Sequence, residues 1–192
     1  MISRERILEA AARVYSKHGF RGATTRLIAA EAGVNEVTLF RTFGSKGALL
    51  EAVLDENDNN CDDVNPLPDP PVDPQRELTD WVSMHLERIR HLRPMLIHAI
   101  SEYEERPEVA DFACRGRIDV HRHITEYVER LHERGLADRD ADVAAAVTML
   151  ISSVMSDAMG RPMAPNTFLP PDEAAPRYVR CFLRMIGAPP SR

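Results

Sequence analysis

The sequence contains no run of eighteen uncharged apolar residues, the length a helix needs to cross a hydrocarbon layer, so no membrane segment is expected. Cysteine is scarce. Cys61, Cys114 and Cys181 are odd in number and far apart, which excludes a disulfide framework and fits reduced thiols in a cytoplasm. None has a CxxC partner or a flanking basic cluster, so redox sensing is not expected. No stretch alternates apolar and polar residues with a period of two, so strands are not expected either. A glycine-rich phosphate cradle, a Gly-x-Ser-x-Gly elbow and a His-Glu-x-x-His pair are all missing, which removes the common signatures of enzymes. His121 and His123 are two apart, and on a helix they point to different sides, so neither a metal nor any cofactor is expected. The opening residues, Met1-Ile2-Ser3-Arg4-Glu5-Arg6, lead into an amphipathic segment instead of a secretory leader's apolar core. No internal repeat is evident.

What is present is helical spacing almost throughout. The 192 residues are 44% hydrophobic and 28% charged, the composition of a globular chain that can bury a substantial core. The net charge of −6 is unevenly spread. Residues 1–50 carry eight basic and four acidic side chains, a balance of +4, which leaves −10 for the remainder. A basic head on an acidic body directs a polyanion to one end of the chain.

The caps define the head. Ser3 can open a first helix that runs to Gly19, with Ile7, Leu8, Ala11, Val14 and Tyr15 as its buried stripe. Thr25 can cap a second helix, Arg26 to Ala32, closed by Gly33. Asn35 can cap a third, Glu36 to Thr42, and Ser45 a fourth that begins at Lys46. Two short helices joined by a tight glycine turn predict a helix-turn-helix. Val34, Leu39 and Phe43 then fix the second of them, while Glu36, Val37, Thr38 and Arg41 project outward into a space a major groove would fill.

From Asp55 to Pro74 the chain turns acidic and proline-rich, which reads as an exposed connector. Asp55, Asn57 and Asn59 imitate the start of a calcium loop. Asn60 replaces the required glycine, however, and Pro66 the required glutamate, so calcium is rejected. The expected division is therefore 1–54 as a DNA-binding domain, 55–74 as connector and 75–192 as a larger helical domain. Within that domain helices are predicted over about 75–91, from Pro94 to before Pro107, about 108 to Gly135, Asp138 to Gly160, and 172–186.

The stretch Thr24-Thr25-Arg26-Leu27-Ile28-Ala29-Ala30-Glu31-Ala32-Gly33-Val34-Asn35-Glu36-Val37-Thr38-Leu39-Phe40-Arg41-Thr42-Phe43-Gly44-Ser45-Lys46 closely resembles the N-terminal domain of TetR-family repressors. The likeness extends over residues from about 3 to 54, and the downstream region agrees in architecture. The resemblance implies an all-α chain: an N-terminal three-helix helix-turn-helix domain and a larger C-terminal helical domain that binds a ligand and dimerises. It also implies a homodimeric cytoplasmic repressor that binds double-stranded operator DNA and is released by a small-molecule effector. Residue by residue, it implies phosphate contacts for Thr25 and Lys46, alongside Arg26 in the same helix start. Thr42 stands where the family often has a phosphate-binding histidine, Phe40 where tyrosine is common, and Val37 where glycine is common. Asn35 and Thr38 are base or phosphate contacts, Arg41 either. Glu36 would accept from cytosine or only stabilise its helix N-terminus.

For the helical domain, Trp81, Met84, His85, Met95, His98, Phe112, Arg117, His121, Met149 and Met155 offer sulfur and aromatic surface with a few polar groups, the chemistry of an effector cavity. The apolar segment 143–155 and the helix at 177–186 are either buried in the monomer or paired with a second copy. Ala145, Ser152, Met155, Met159, Tyr178 and Phe182 are the candidates for that interface. A helical small-molecule binder or enzyme without a DNA role is the alternative, and the helix-turn-helix speaks against it.

Overall fold

A computed structural model describes residues 4–53, 66–101, 104 and 107–188, and for 107–117 the backbone alone. The imitation calcium loop at 55–66, most of the connector, Cys61, and the side chains of Phe112, Cys114 and Arg117 lie outside the described residues. Among those described there is no strand. The helices are α1 (Arg4–Gly22), α2 (Thr25–Ala32), α3 (Glu36–Phe43), α4 (46–53), α5 (Pro74–Ser101), α6 (Pro107–Glu133), α7 (Val143–Gly160) and α8 (Pro171–Met185), with a short 3-10 turn at Pro165–Thr167.

The chain divides into two compact units. The first takes residues 1–64 and 92–116, the second 65–91 and 117–192, so α5 and α6 each contribute to both. In the first, Ile7, Leu8, Ala11, Val14 and Tyr15 of α1 bury against Ile28, Ala29 and Ala32 of α2, Leu39 of α3, and Leu49, Leu50 and Val53 of α4. Small alanines on α1 and α2 let the helices approach closely, and Met95 and Ala99 near the end of α5 complete this core. In the second, Leu78, Trp81, Val82 and Leu86 of α5 pack with Ile124, Tyr127, Val128 and Leu131 of α6. Val147, Leu150, Ile151 and Val154 of α7 join them, as do Val179, Phe182 and Leu183 of α8.

The structure departs from the sequence reading at several points. Gly19 takes a left-handed φ of 65° as expected, yet helix resumes beyond it to Gly22 across a kink. Pro94 does not open a helix. It sits inside the continuous α5, because Leu92, Met95 and Ala99 around it are held in the first core and outweigh the one backbone bond proline removes. The end of the connector is not simply exposed: Leu67 is buried in the second core, and its carbonyl accepts from Arg130 Nη2 at 3.4 Å. Finally, α7 has the length and mean hydropathy, 1.5, of a membrane-crossing helix. Its apolar stripe packs instead in the second core, and it carries the fully buried Asp157.

Asp157 anchors a polar cluster that sequence reading missed, although an Asp and an Arg four apart at the end of an apolar helix is a readable signal. It accepts from Arg161 through both oxygens, from Arg90 Nη2 at 3.3 Å, and from the Tyr178 hydroxyl at 2.9 Å. Burial alone would raise its pKa. The hydrogen bonds from Arg161, Tyr178 and Arg90 outweigh that and hold the carboxyl below its ordinary range, while burial and Asp157 push Tyr178 up to about 12. Arg161 Nη1 also donates to the Leu169 carbonyl at 2.7 Å, so one buried carboxylate ties α5, α7 and α8 to the loop between the last two.

Candidate nucleic-acid interface

The start of α2 is capped by Thr24, not by Thr25 as the sequence suggested: Thr24 Oγ1 accepts from the Leu27 amide at 3.1 Å. Thr25 is thus the first helical residue. Its hydroxyl is freed from capping and donates to Glu36 Oε1 at the start of α3. Gly33 ends α2 in the left-handed region, φ 68°, with its amide donating to the Ala29 and Ala30 carbonyls. Asn35 caps α3 as expected, accepting from the Val37 amide at 2.9 Å. Ser45 caps α4, its Oγ accepting from the Ala48 amide at 3.0 Å. Arg13 and Glu31 pair at 3.0 Å and tie α1 to α2.

These contacts leave one outward face. Val37 is 72% exposed and Phe40 45%, and Arg26, Asn35, Arg41 and Thr42 are exposed beside them. Thr25, Glu36, Thr38 and Lys46 are half-buried. Two of the expected phosphate ligands are engaged internally: Thr25 with Glu36, and Lys46 with Phe20, whose carbonyl it faces and whose ring centroid lies 4.1 Å from Nζ. The Thr42 hydroxyl donates to the Thr38 carbonyl at 2.8 Å. Leu27 of α2, which the sequence reading did not single out, is also partly exposed.

The candidate effector residues do not form one set. Trp81 lies in the second core with the His85 ring tilted against it, centroids 3.8 Å apart at 55°, and Met84 packs against that core. His85 is 3% exposed, and its Nε2 has no hydrogen-bond partner. Burial, with the nearby His123, lowers its pKa to about 4, so the ring is neutral at pH 7. His121 is half-buried near Thr125, whose hydroxyl donates to the His121 carbonyl at 2.8 Å. Met95 lies apart from the others, buried in the core of the first unit. His98 follows it on the stretch of α5 that belongs to that unit. Met149 lies apart from these, 57% exposed on α7.

Met149 there lines an open groove of about 440 Å3 with Ser152, Ser153, Ser156, Phe168 and Tyr178. Of the dimer candidates, Ala145 and Ser152 are exposed and Met155, Met159 and Tyr178 half-buried. Phe182 is buried in the second core, because the inward stripe of α8 takes it. Among the described residues no group of three or more His, Cys, Asp or Glu is placed to hold a metal.

Together the two capped helices, the glycine turn and the basic outer face define a helix-turn-helix head of the kind that docks in a major groove. Residues 7–53 match the model of the bacterial regulatory proteins of the tetR family, so this head is a DNA-binding domain of that family's kind. It is similar to the uncharacterized HTH-type transcriptional regulator YvkB of Bacillus subtilis, 27% identical over 69% of each chain. It is 32% identical to the HTH-type transcriptional repressor AcnR of Corynebacterium glutamicum, over 60% of this chain and 64% of the repressor, just under two thirds of that relative. In fold it superposes on GusR of Salmonella enterica with a TM-score of 0.76 and 19% identity, over 96% of this chain and 95% of that one.

Proposed function

We propose that this regulator is a cytoplasmic homodimeric repressor that binds a palindromic operator and is released by a small-molecule effector. The observation that carries the reading is the outward face of α3, held by the Asn35 cap and the Gly33 turn at one end of a chain whose first fifty residues carry a charge of +4. Arg26 and Arg41 are free to meet phosphate or a base edge. Thr25 and Lys46 reach phosphate by exchanging Glu36 and the Phe20 carbonyl for it, and Asn35, Thr38 and Thr42 flank the groove contacts.

A relative named as a repressor, AcnR, supports repression, and the exposed small and flexible side chains on α7 support the dimer. For the effector, the support is the orphaned Nε2 of His85 beside the Trp81 ring, a pairing that suits a ligand with a flat apolar part and one hydrogen-bonding group. Met84 and His121 are the further candidates of the second unit. An effector that binds the DNA-free arrangement more tightly than the DNA-bound one would shift the population away from the operator.

The test is fluorescence anisotropy with duplexes from the chain's own genomic neighbourhood. Binding to a palindromic site, with log K falling linearly in log salt, is the expected result. Failure to bind any such duplex at low salt would overturn it.

A further inference from the structure

The polar groups along α3 are largely engaged within the head. Glu36 accepts from Thr25, Asn35 accepts from the Val37 amide at 2.9 Å, and Thr42 donates to the Thr38 carbonyl one turn back at 2.8 Å. Each therefore has one polar atom committed internally, and only the Glu36 Oε2, the Asn35 Nδ2 donors and the Thr42 oxygen's lone pairs remain for a base or phosphate. In its first turn the helix presents an apolar group instead: Val37, on the second residue, is 72% exposed, and Phe40 follows at 45%. An isopropyl group there gains nothing for folding, since it stays in water, and β-branched residues are not favoured helix formers. Arg41 stands four residues on, on the same stripe, exposed and with no ion pair among the described residues.

In a major groove the one apolar feature on a base edge is the C5 methyl of thymine, and the feature that best matches a guanidinium is the O6 and N7 pair of guanine. Four residues of helix advance about 6 Å and base pairs are about 3.4 Å apart, so the two side chains address positions about two base pairs apart. We propose that Val37 is the specificity-determining residue of the recognition helix. It packs on the methyl of a thymine in each operator half-site, while Arg41 reads a guanine about two base pairs further along. This inference rests on the operator-binding reading above.

The test uses the full chain and duplexes that it enriches from a randomised library, with each thymine replaced in turn by deoxyuridine, which lacks only the methyl. The expected result is one thymine per half-site whose replacement weakens binding about fourfold, the factor equivalent to about 0.8 kcal/mol for one buried methyl-sized group. Val37→Ala should reproduce that loss on the thymine duplex and be indifferent to deoxyuridine at that position. Val37→Thr, the same shape with one methyl exchanged for hydroxyl, should retain part of the sensitivity. The position is exposed, so both variants should melt as the unsubstituted chain does. Enriched sequences with no methyl-sensitive thymine, or one equally sensitive in Val37→Ala, would overturn the assignment and leave DNA binding standing. A library that enriches for nothing overturns the operator reading and this inference together.

Discussion

The ammonium of Lys46 lies over the Phe20 ring and faces the Phe20 carbonyl, so its charge sits near the C-terminal end of α1. For it to serve as a phosphate ligand it must exchange those partners for an anion of full charge, an exchange that low salt favours. Lys46→Ala is therefore expected to weaken binding equally on selected and random duplexes. It should also reduce the slope of log K against log salt by about 0.9 for each phosphate no longer neutralised. An unchanged slope with a lowered melting temperature would place its role in holding α1 to α4. His85 invites a second measurement. Its folded pKa of about 4 lies below the ordinary 6.5, so the unfolded chain binds the proton more readily. Stability is therefore unaffected above about pH 6.5 and is lost as pH falls from there toward about 4, by at most about 3 kcal/mol. Urea melts between about pH 7 and about pH 5 should show the decline, and His85→Phe should flatten it. A slope that survives the substitution would assign the decline to other groups.

At the scale of elements, the turn between α2 and α3 depends on one backbone conformation. Gly33 has φ 68° with nothing within 4 Å of an added Cβ, so Gly33→Ala meets no clash and suffers only the left-handed strain. It should cost about 1 kcal/mol in a thermal melt and weaken DNA binding through a misplaced α3. An alanine variant as stable as the parent would show that the turn relaxes. This part of the chain is legible because its signals are local: Gly33, Asn35 and Ser45 each punctuate the backbone next to the residues they govern. Even here Thr24 and Thr25 are adjacent hydroxyls, and only the fold distinguishes the cap from the first helical residue. Pro94 misleads because proline's local effect is outweighed by the burial of Met95 and Ala99 in a core otherwise built from the first fifty-three residues. The effector candidates are dispersed for the same reason. Met95 and Met149 have the right chemistry, but one is claimed by a core and the other by a surface, and periodicity alone cannot say which.

For the molecule as a whole, the proposed homodimer poses the question of how two recognition helices would act on one site. A single head has a small contact area and one basic face. Linking two makes the second binding event intramolecular and multiplies affinity by about 10²- to 10⁴-fold without any new contact. The surface that could provide that link lies on α7 and α8, where Ala145, Met149, Ser152 and Ser156 are exposed and Tyr178 borders the groove. Beneath it the Asp157 cluster fixes α7, α8 and their connecting loop, so the face is held in one shape before any partner arrives. The −10 carried by the chain beyond residue 50 opposes association, and the uncharged lining of this groove suits it to the contact of the proposed dimer. Met149→Arg should place a cation in the middle of it without disturbing the monomer, because the side chain is 57% exposed. Sedimentation should then report a monomer with an unaltered melt in dilute solution, and affinity for a palindromic duplex should fall toward that for a single half-site. A Met149→Arg chain that still sediments as a dimer would place the interface elsewhere.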